Sequence, residues 1–128
     1  MGDRANFGFK HGNGNTIMLY GHWAGFEMMS QLANAIEAAR SRWNDEAYAT
    51  RIAVSNLVGD NWKETTGWGL TVNQILDNEH KIPVVDWLSE TVSLHEEAPW
   101  DEQTQVRGMK DEPLFSMDLL AFIHKYKK

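Results

Sequence analysis

Three short polar segments hold the side chains that could do chemistry in this 128-residue chain. The first, Asp3-Arg4-Ala5-Asn6, offers a guanidinium group, which can hold a phosphate or a carboxylate through two parallel hydrogen bonds. Arg4 could equally pair with an acidic side chain of the protein itself. The second, Gly21-His22-Trp23, follows an apolar segment. His22 would then lie between a strand and a helix N-terminus, where it could act on an anionic ligand or simply pack.

The third segment is Asp77-Asn78-Glu79-His80. Two carboxylates and an imidazole this close together could bind a divalent metal or relay a proton. Their spacing matches no recognised metal motif, however, and a solvated turn explains them as well. Trp23 and Trp68 lie beside glycines, which would let a flat ligand approach their rings, although most tryptophans serve in packing.

The motifs of the large enzyme classes are missing. The chain has no Walker A loop, no G-x-G-x-x-G, no H-E-x-x-H and no G-x-S-x-G. It also has no cysteine, so disulfides and thiolate zinc sites are excluded. We therefore predict no structural metal, and the sequence identifies no cofactor.

Composition and charge narrow the class of protein. Hydrophobic residues make up 42% and charged residues 23%, which is typical of a globular domain. The net charge of −6 disfavours general binding to nucleic acid. No apolar run is long enough to span a membrane, and the first residues lack the pattern of a secretory signal. We expect a cytoplasmic protein of a bacterial host cell.

Local patterns in the first half predict a hairpin followed by two helices. Residues 5–10 and 16–20 read as strands, and the Gly- and Asn-rich residues 11–15 form the turn. Apolar residues at helical spacing predict a helix over residues 26–43, with Met28, Leu32 and Ile36 on its buried face. Asn44 or Asp45 would cap the second helix, and Gly59 would end it.

The second half predicts further strands and a final helix. A strand is expected over residues 67–72, and a second hairpin over residues 82–87 and 91–95, in which Pro83 indicates an edge strand or a strand start. Residues 96–113 form a long polar segment, expected to be a mobile or functional loop. Ser116 would cap a C-terminal helix over about residues 116–126. The fold class is a single α+β domain, residues 1–128, with an antiparallel sheet of four to five strands packed against two to three helices.

Several motifs together carry a resemblance. They are GDRAN at residues 2–6, LYGHWAG at 19–25, RW at 42–43, YATRIA at 48–53, TGWGL at 66–70 and DNEH at 77–80. In this order the chain resembles a family of small uncharacterised proteins of bacteria and bacteriophages, over roughly residues 2–95. The resemblance implies that the polar motif residues belong to one site, and it favours an accessory protein that acts on a host factor or signalling molecule. The residues concerned are Asp3, Arg4, Asn6, His22, Asp77, Glu79 and His80.

Two functional hypotheses follow. The favoured one is a non-enzymatic accessory protein that binds a small polar or anionic, nucleotide-like ligand, or a host protein. The alternative is a small hydrolase or transferase with His22 or His80 as the acid or base, assisted by a metal on Asp77 and Glu79. Homo-oligomerisation stays open. The candidate ligand-binding residues are Arg4, Asn6, His22, Trp23, Trp68, Asp77, Glu79 and His80.

Overall fold

The computed structural model of the protein describes residues 2–128 and has the predicted α+β class. The strands are β1 Ala5–Lys10, β2 Thr16–Gly21, β3 Trp68–Val72, β4 Ile82–Asp86, β5 Thr91–His95 and β6 Phe115–Asp118. The α-helices are α1 Met28–Ala38, α2 Glu46–Val58 and α3 Leu119–Tyr126. Short 3₁₀ helices over Arg40–Arg42 and Gly59–Lys63 follow α1 and α2.

The sheet differs from the prediction in strand number and in direction. Within residues 2–128 it has six strands in the order β3-β2-β1-β4-β5-β6. β1 and β4 pair in parallel at its centre, and the other neighbouring strands are antiparallel, so the sheet is mixed. β4 is therefore an internal strand. It tolerates Pro83, which has no N–H to donate, because the ladder with β1 begins one residue later, at Val84.

The boundary between β6 and α3 also differs from the prediction, because α3 begins at Leu119. Residues 115–118 form β6, so Ser116 lies within a strand and does not cap the helix. Asp118 is the N-cap of α3, because its Oδ1 accepts a hydrogen bond from the Ala121 N–H at 2.7 Å. The cap prediction for α2 is confirmed at Asp45, whose side chain accepts from the Tyr48 N–H.

The three α-helices pack on one face of the sheet. Phe7 and Phe9 of β1 are buried there with Leu32 and Ile36 of α1. The predicted core partners Met28, Leu19 and Val85 are buried as well, whereas Ile17 is half-buried. α1 is shorter than predicted, and Phe26 lies outside it with 76% of its surface exposed.

In the part of the chain that the structure describes, the other face of the sheet carries no helix and is partly covered by two segments. One is the connection of residues 73–81, and the other, which we call the arm, is residues 96–113. The arm doubles back on itself through the pairs Glu97–Met109 and Asp101–Val106. A small apolar cluster lies beneath both segments and contains Met18, Ile75, Ile82, Val84 and Met109. None of the helices in residues 2–128 has the length and apolar character needed to cross a membrane.

Candidate functional site

The eight candidate residues fall into two neighbouring groups. One group, which we call the clamp, joins residues 3–6 to residues 76–80 and contains Arg4, Asn6, Asp77, Glu79 and His80. The other, which we call the cleft, is a cavity at the end of β2. Of the candidates, the cleft is lined by His22, Trp23 and Trp68.

Asn6 holds the centre of the clamp. Its side chain is fully buried on β1, and its Oδ1 accepts a hydrogen bond from the Leu76 N–H at 3.1 Å. Its Nδ2 donates to the carbonyl oxygens of Leu76 and Asp77 and to Asn78 Oδ1, at 3.2–3.4 Å. Because both ends of the amide are engaged by the protein and no surface is exposed, Asn6 positions residues 76–78 and does not reach a ligand.

Arg4 pairs with both acidic residues of the DNEH segment. Its Nη1 donates to Asp77 Oδ2 at 2.5 Å, and its Nε and its backbone N–H both donate to Glu79 Oε1 at 3.0 Å. The Glu79 N–H in turn donates to the Arg4 carbonyl oxygen at 3.0 Å. Hydrogen bonds from Arg4 hold the pKa of Glu79 below its usual value.

The arm supplies a second arginine to the same network. Arg107 Nη1 donates to Asp77 Oδ1 at 3.0 Å, and Arg107 Nε and Nη2 donate to Glu97 Oε2 at 3.2 and 2.9 Å. The Arg107 hydrogen bond is the main cause that lowers the pKa of Asp77, and Arg4 adds to it. Two guanidinium groups thus share one carboxylate, which ties the arm to the start of β1.

His80 pairs with Asp3 next to Gly25. His80 Nε2 lies 2.5 Å from Asp3 Oδ1, and the Gly25 N–H donates to the Asp3 carbonyl oxygen at 2.8 Å. A Cβ at Gly25 would stand 2.1 Å from His80 Nε2 and 2.3 Å from Asp3 Oδ1. The pair therefore requires a residue without a side chain at position 25.

The clamp is poorly suited to the metal-assisted alternative. Asp77 and Glu79 already bind guanidinium groups, which a cation would have to displace. Across residues 2–128, no group of three or more His, Asp or Glu side chains is placed to hold a metal ion.

The cleft is a cavity of about 730 Å³ with aromatic walls. Tyr20 Oη lies 2.8 Å from His22 Nδ1. The His22 ring meets the Trp23 ring edge-on, with 5.0 Å between centroids and an interplanar angle of 81°. Trp23 keeps 66% of its surface exposed. The contacts from Tyr20 to His22 and from His22 to Trp23 therefore orient an indole that a ligand can reach. The polar lining includes Gln31, Asn61, Glu64 and Thr66.

Clamp and cleft adjoin, but they do not form one cavity. The Asp3 N–H donates to the His22 carbonyl oxygen at 2.8 Å, which links the two groups through the backbone. Burial raises the pKa of Tyr20. The Arg4 charge opposes this rise, whereas the Asp77 and Glu79 charges add to it. Arg4 and His80 nevertheless do not line the cleft with His22.

Two residues of this region were not among the candidates. Tyr20 reads as part of a buried strand, and its i, i+2 spacing to His22 was the available signal for their contact. Arg107 lies in a segment without local pattern, so nothing in the sequence indicates its partner. No protein-family model, curated protein or solved structure matches the chain.

Proposed function

We propose that the protein binds a small, flat, polar molecule of the nucleobase or nucleoside type in the cleft, as an accessory protein of a bacterial or phage-infected cell. The orientation of Trp23 carries this proposal. The exposed indole already rests against His22, whose ring is in turn hydrogen-bonded to Tyr20, so it loses little side-chain entropy when a flat ring stacks on it. Base–aromatic stacking contributes about 1–3 kcal/mol per base.

The polar lining of the cleft supports a neutral ligand over a phosphorylated one. Gln31 and Asn61 offer both donors and acceptors, and Glu64 offers a carboxylate that accepts from ring N–H or amino groups. Among the lining residues that the structure describes there is no lysine or arginine, and a phosphate would approach Glu64 without compensation. The anionic ligand class of the sequence prediction therefore fits this cleft less well than the polar one.

Calorimetric titration of the purified protein with adenosine, guanosine and cytidine tests the proposal. At least one nucleoside should bind, and its monophosphate should bind no more tightly. Trp23→Ala should weaken that binding by about 5- to 150-fold, which corresponds to the loss of one stacking contact. Native mass spectrometry of the protein purified without denaturation would reveal a flat ligand outside this panel.

Trp62→Ala is the matched control. Trp62 is 71% exposed and does not line the cleft, so its removal should leave the affinity unchanged. Equal losses in the two variants would contradict the proposal. So would the absence of binding by all three nucleosides together with the absence of any co-purifying small molecule.

A further inference from the structure

A serine and a histidine are hydrogen-bonded on the helix-free face of β5. Ser93 and His95 are two residues apart on one strand, so their side chains point to the same face. Ser93 Oγ lies 2.8 Å from His95 Nε2. The other ring nitrogen, Nδ1, lies 2.7 Å from the carbonyl oxygen of Lys110 in the arm.

The carbonyl partner determines which nitrogen of the neutral ring carries the proton. A carbonyl oxygen can only accept, so Nδ1 must be the protonated nitrogen of His95. Nε2 is then unprotonated and accepts from the Ser93 hydroxyl. This is the arrangement of an activated nucleophile, in which a hydroxyl is bonded to a base that a third group orients.

The pair opens into a cavity of about 610 Å³, separate from the cleft. The apolar cluster of Met18, Ile75, Val84 and Met109 lines one part of the cavity. Donors line another part, among them Lys10 and Lys110. Apolar surface with convergent polar groups is the usual composition of a substrate site.

We propose that Ser93 is the nucleophile and His95 the general base of a second, hydrolytic site for carboxylic esters. Ser93 Oγ forms a bond to the ester carbonyl carbon as His95 Nε2 takes the hydroxyl proton. The carbon–oxygen bond to the alcohol then breaks, and His95 returns the proton to the departing alcohol. Water then attacks the acyl-Ser93 ester as His95 Nε2 takes its proton. The bond from the acyl carbon to Ser93 Oγ breaks, His95 returns the proton to Ser93 Oγ, and the carboxylic acid is released.

The Lys110 carbonyl oxygen, which orients His95, determines the class of substrate that the site can hydrolyse. A neutral carbonyl orients His95 but stabilises its imidazolium less than a buried carboxylate would. The site is therefore suited to esters, whose alcohols leave more readily than the amines of amides. The apolar cluster would receive the acyl group, and Lys10 and Lys110 are the donors available to the developing oxyanion.

Labelling with an alkyl fluorophosphonate tests the nucleophile in the intact protein. The reagent should add to Ser93 with loss of fluoride, as seen by intact mass and peptide mapping. Ser93→Ala should abolish the adduct, and His95→Ala should slow its formation by roughly 100-fold. Ser116→Ala is the control, because Ser116 pairs with Ser93 across β5 and β6 and lines the same cavity. It should still be labelled at Ser93.

A second experiment uses cysteine variants that keep His95, so its result does not depend on the folding of His95→Ala. The chain has no cysteine, so Ser93→Cys and Ser116→Cys each introduce a single thiol. Iodoacetamide should alkylate the thiol at position 93 at least about tenfold faster than the one at position 116, because His95 favours the thiolate. Equal alkylation rates, a fluorophosphonate adduct on another residue, or no adduct on folded wild-type protein would each overturn the proposal.

Discussion

The amide of Asn6 makes hydrogen bonds at both ends while it is fully buried. Asn6→Ala would leave the Leu76 N–H without its acceptor and residues 76–78 without their anchor. We expect a loss of about 1–3 kcal/mol in the free energy of unfolding, measured by urea titration. Asn34→Ala, on the exposed face of α1, is the control and should change stability by no more than about 0.5 kcal/mol. Similar effects of the two changes would show that the clamp does not depend on Asn6.

A substitution at Gly25 tests the His80–Asp3 pair through a steric clash, without a change of charge. Gly25→Ala places a methyl group on both partners, so the pair must separate, and we expect a loss of about 1–3 kcal/mol in unfolding free energy. Gly108→Ala adds the same group at a position where, apart from the adjoining residues of the chain, no heavy atom of residues 2–128 would lie within 4 Å of it, and stability should stay within about 0.5 kcal/mol of wild type. Thermal and urea unfolding of the two variants give the comparison. Wild-type stability of Gly25→Ala would contradict the observed packing.

At the level of elements, the clamp joins the start of β1, the 73–81 connection and the arm through ionised carboxylates. The pKa values of Asp77 and Glu79 are lowered in the folded protein, so the unfolded chain binds more protons as pH falls through the carboxyl range. Their contribution to stability is therefore fully present above the ordinary carboxyl pKa of about 4 and is lost as pH falls below it.

The Asp77→Asn/Glu79→Gln double variant measures this contribution. It should be less stable than wild type near neutral pH, and the difference should shrink as pH falls below about 4 and through the lowered pKa values of the two carboxyl groups in the folded protein. Urea titrations across that range follow the change. Glu102→Gln, an exposed acid in the arm outside the clamp, should give no such pH-dependent difference. A difference that is constant with pH would show that the arginine pairs do not stabilise the fold.

Elements with local signals were predicted well, and elements defined by distant partners were not. The β1–β2 hairpin follows from its turn residues, and α2 follows from Asp45 and Gly59. β6 has four residues, and its pairing with β5 has no signature within them. The direction of the β1–β4 pair depends on how the intervening chain crosses the sheet, which no local pattern specifies.

At the scale of the whole molecule, the packing of α1 on the sheet sets stability. Leu32 is fully buried between α1 and the sheet core, so Leu32→Ala should cost about 2–5 kcal/mol in unfolding free energy. Leu120→Ala, at a half-exposed position of α3, should cost much less. Denaturant titration with unchanged m-values compares them. A loss below about 0.5 kcal/mol at Leu32 would contradict this packing.

The sequence indicated which polar residues lie in this region, but it did not indicate which of them bind one another. GDRAN and DNEH do meet, but the sequence could not show that their charges neutralise each other and that only His22, Trp23 and Trp68 remain at a cavity. Ser93 and His95 gave no motif, because their relation depends on a strand that places both side chains on one face and on a carbonyl group of the arm.

The parallel pairing of β1 with β4 also bears on the order of synthesis at the ribosome. β1 and β2 can pair as soon as both have emerged, but residues 8–10 of β1 meet their other neighbours only when residues 84–86 have followed. Until then one edge of β1, with the aromatic Phe7 and Phe9, lacks its neighbouring strand. An open edge of this kind is a template for wrong pairing, so the interval before β4 arrives is when the nascent chain is most exposed to aggregation and to chaperone capture.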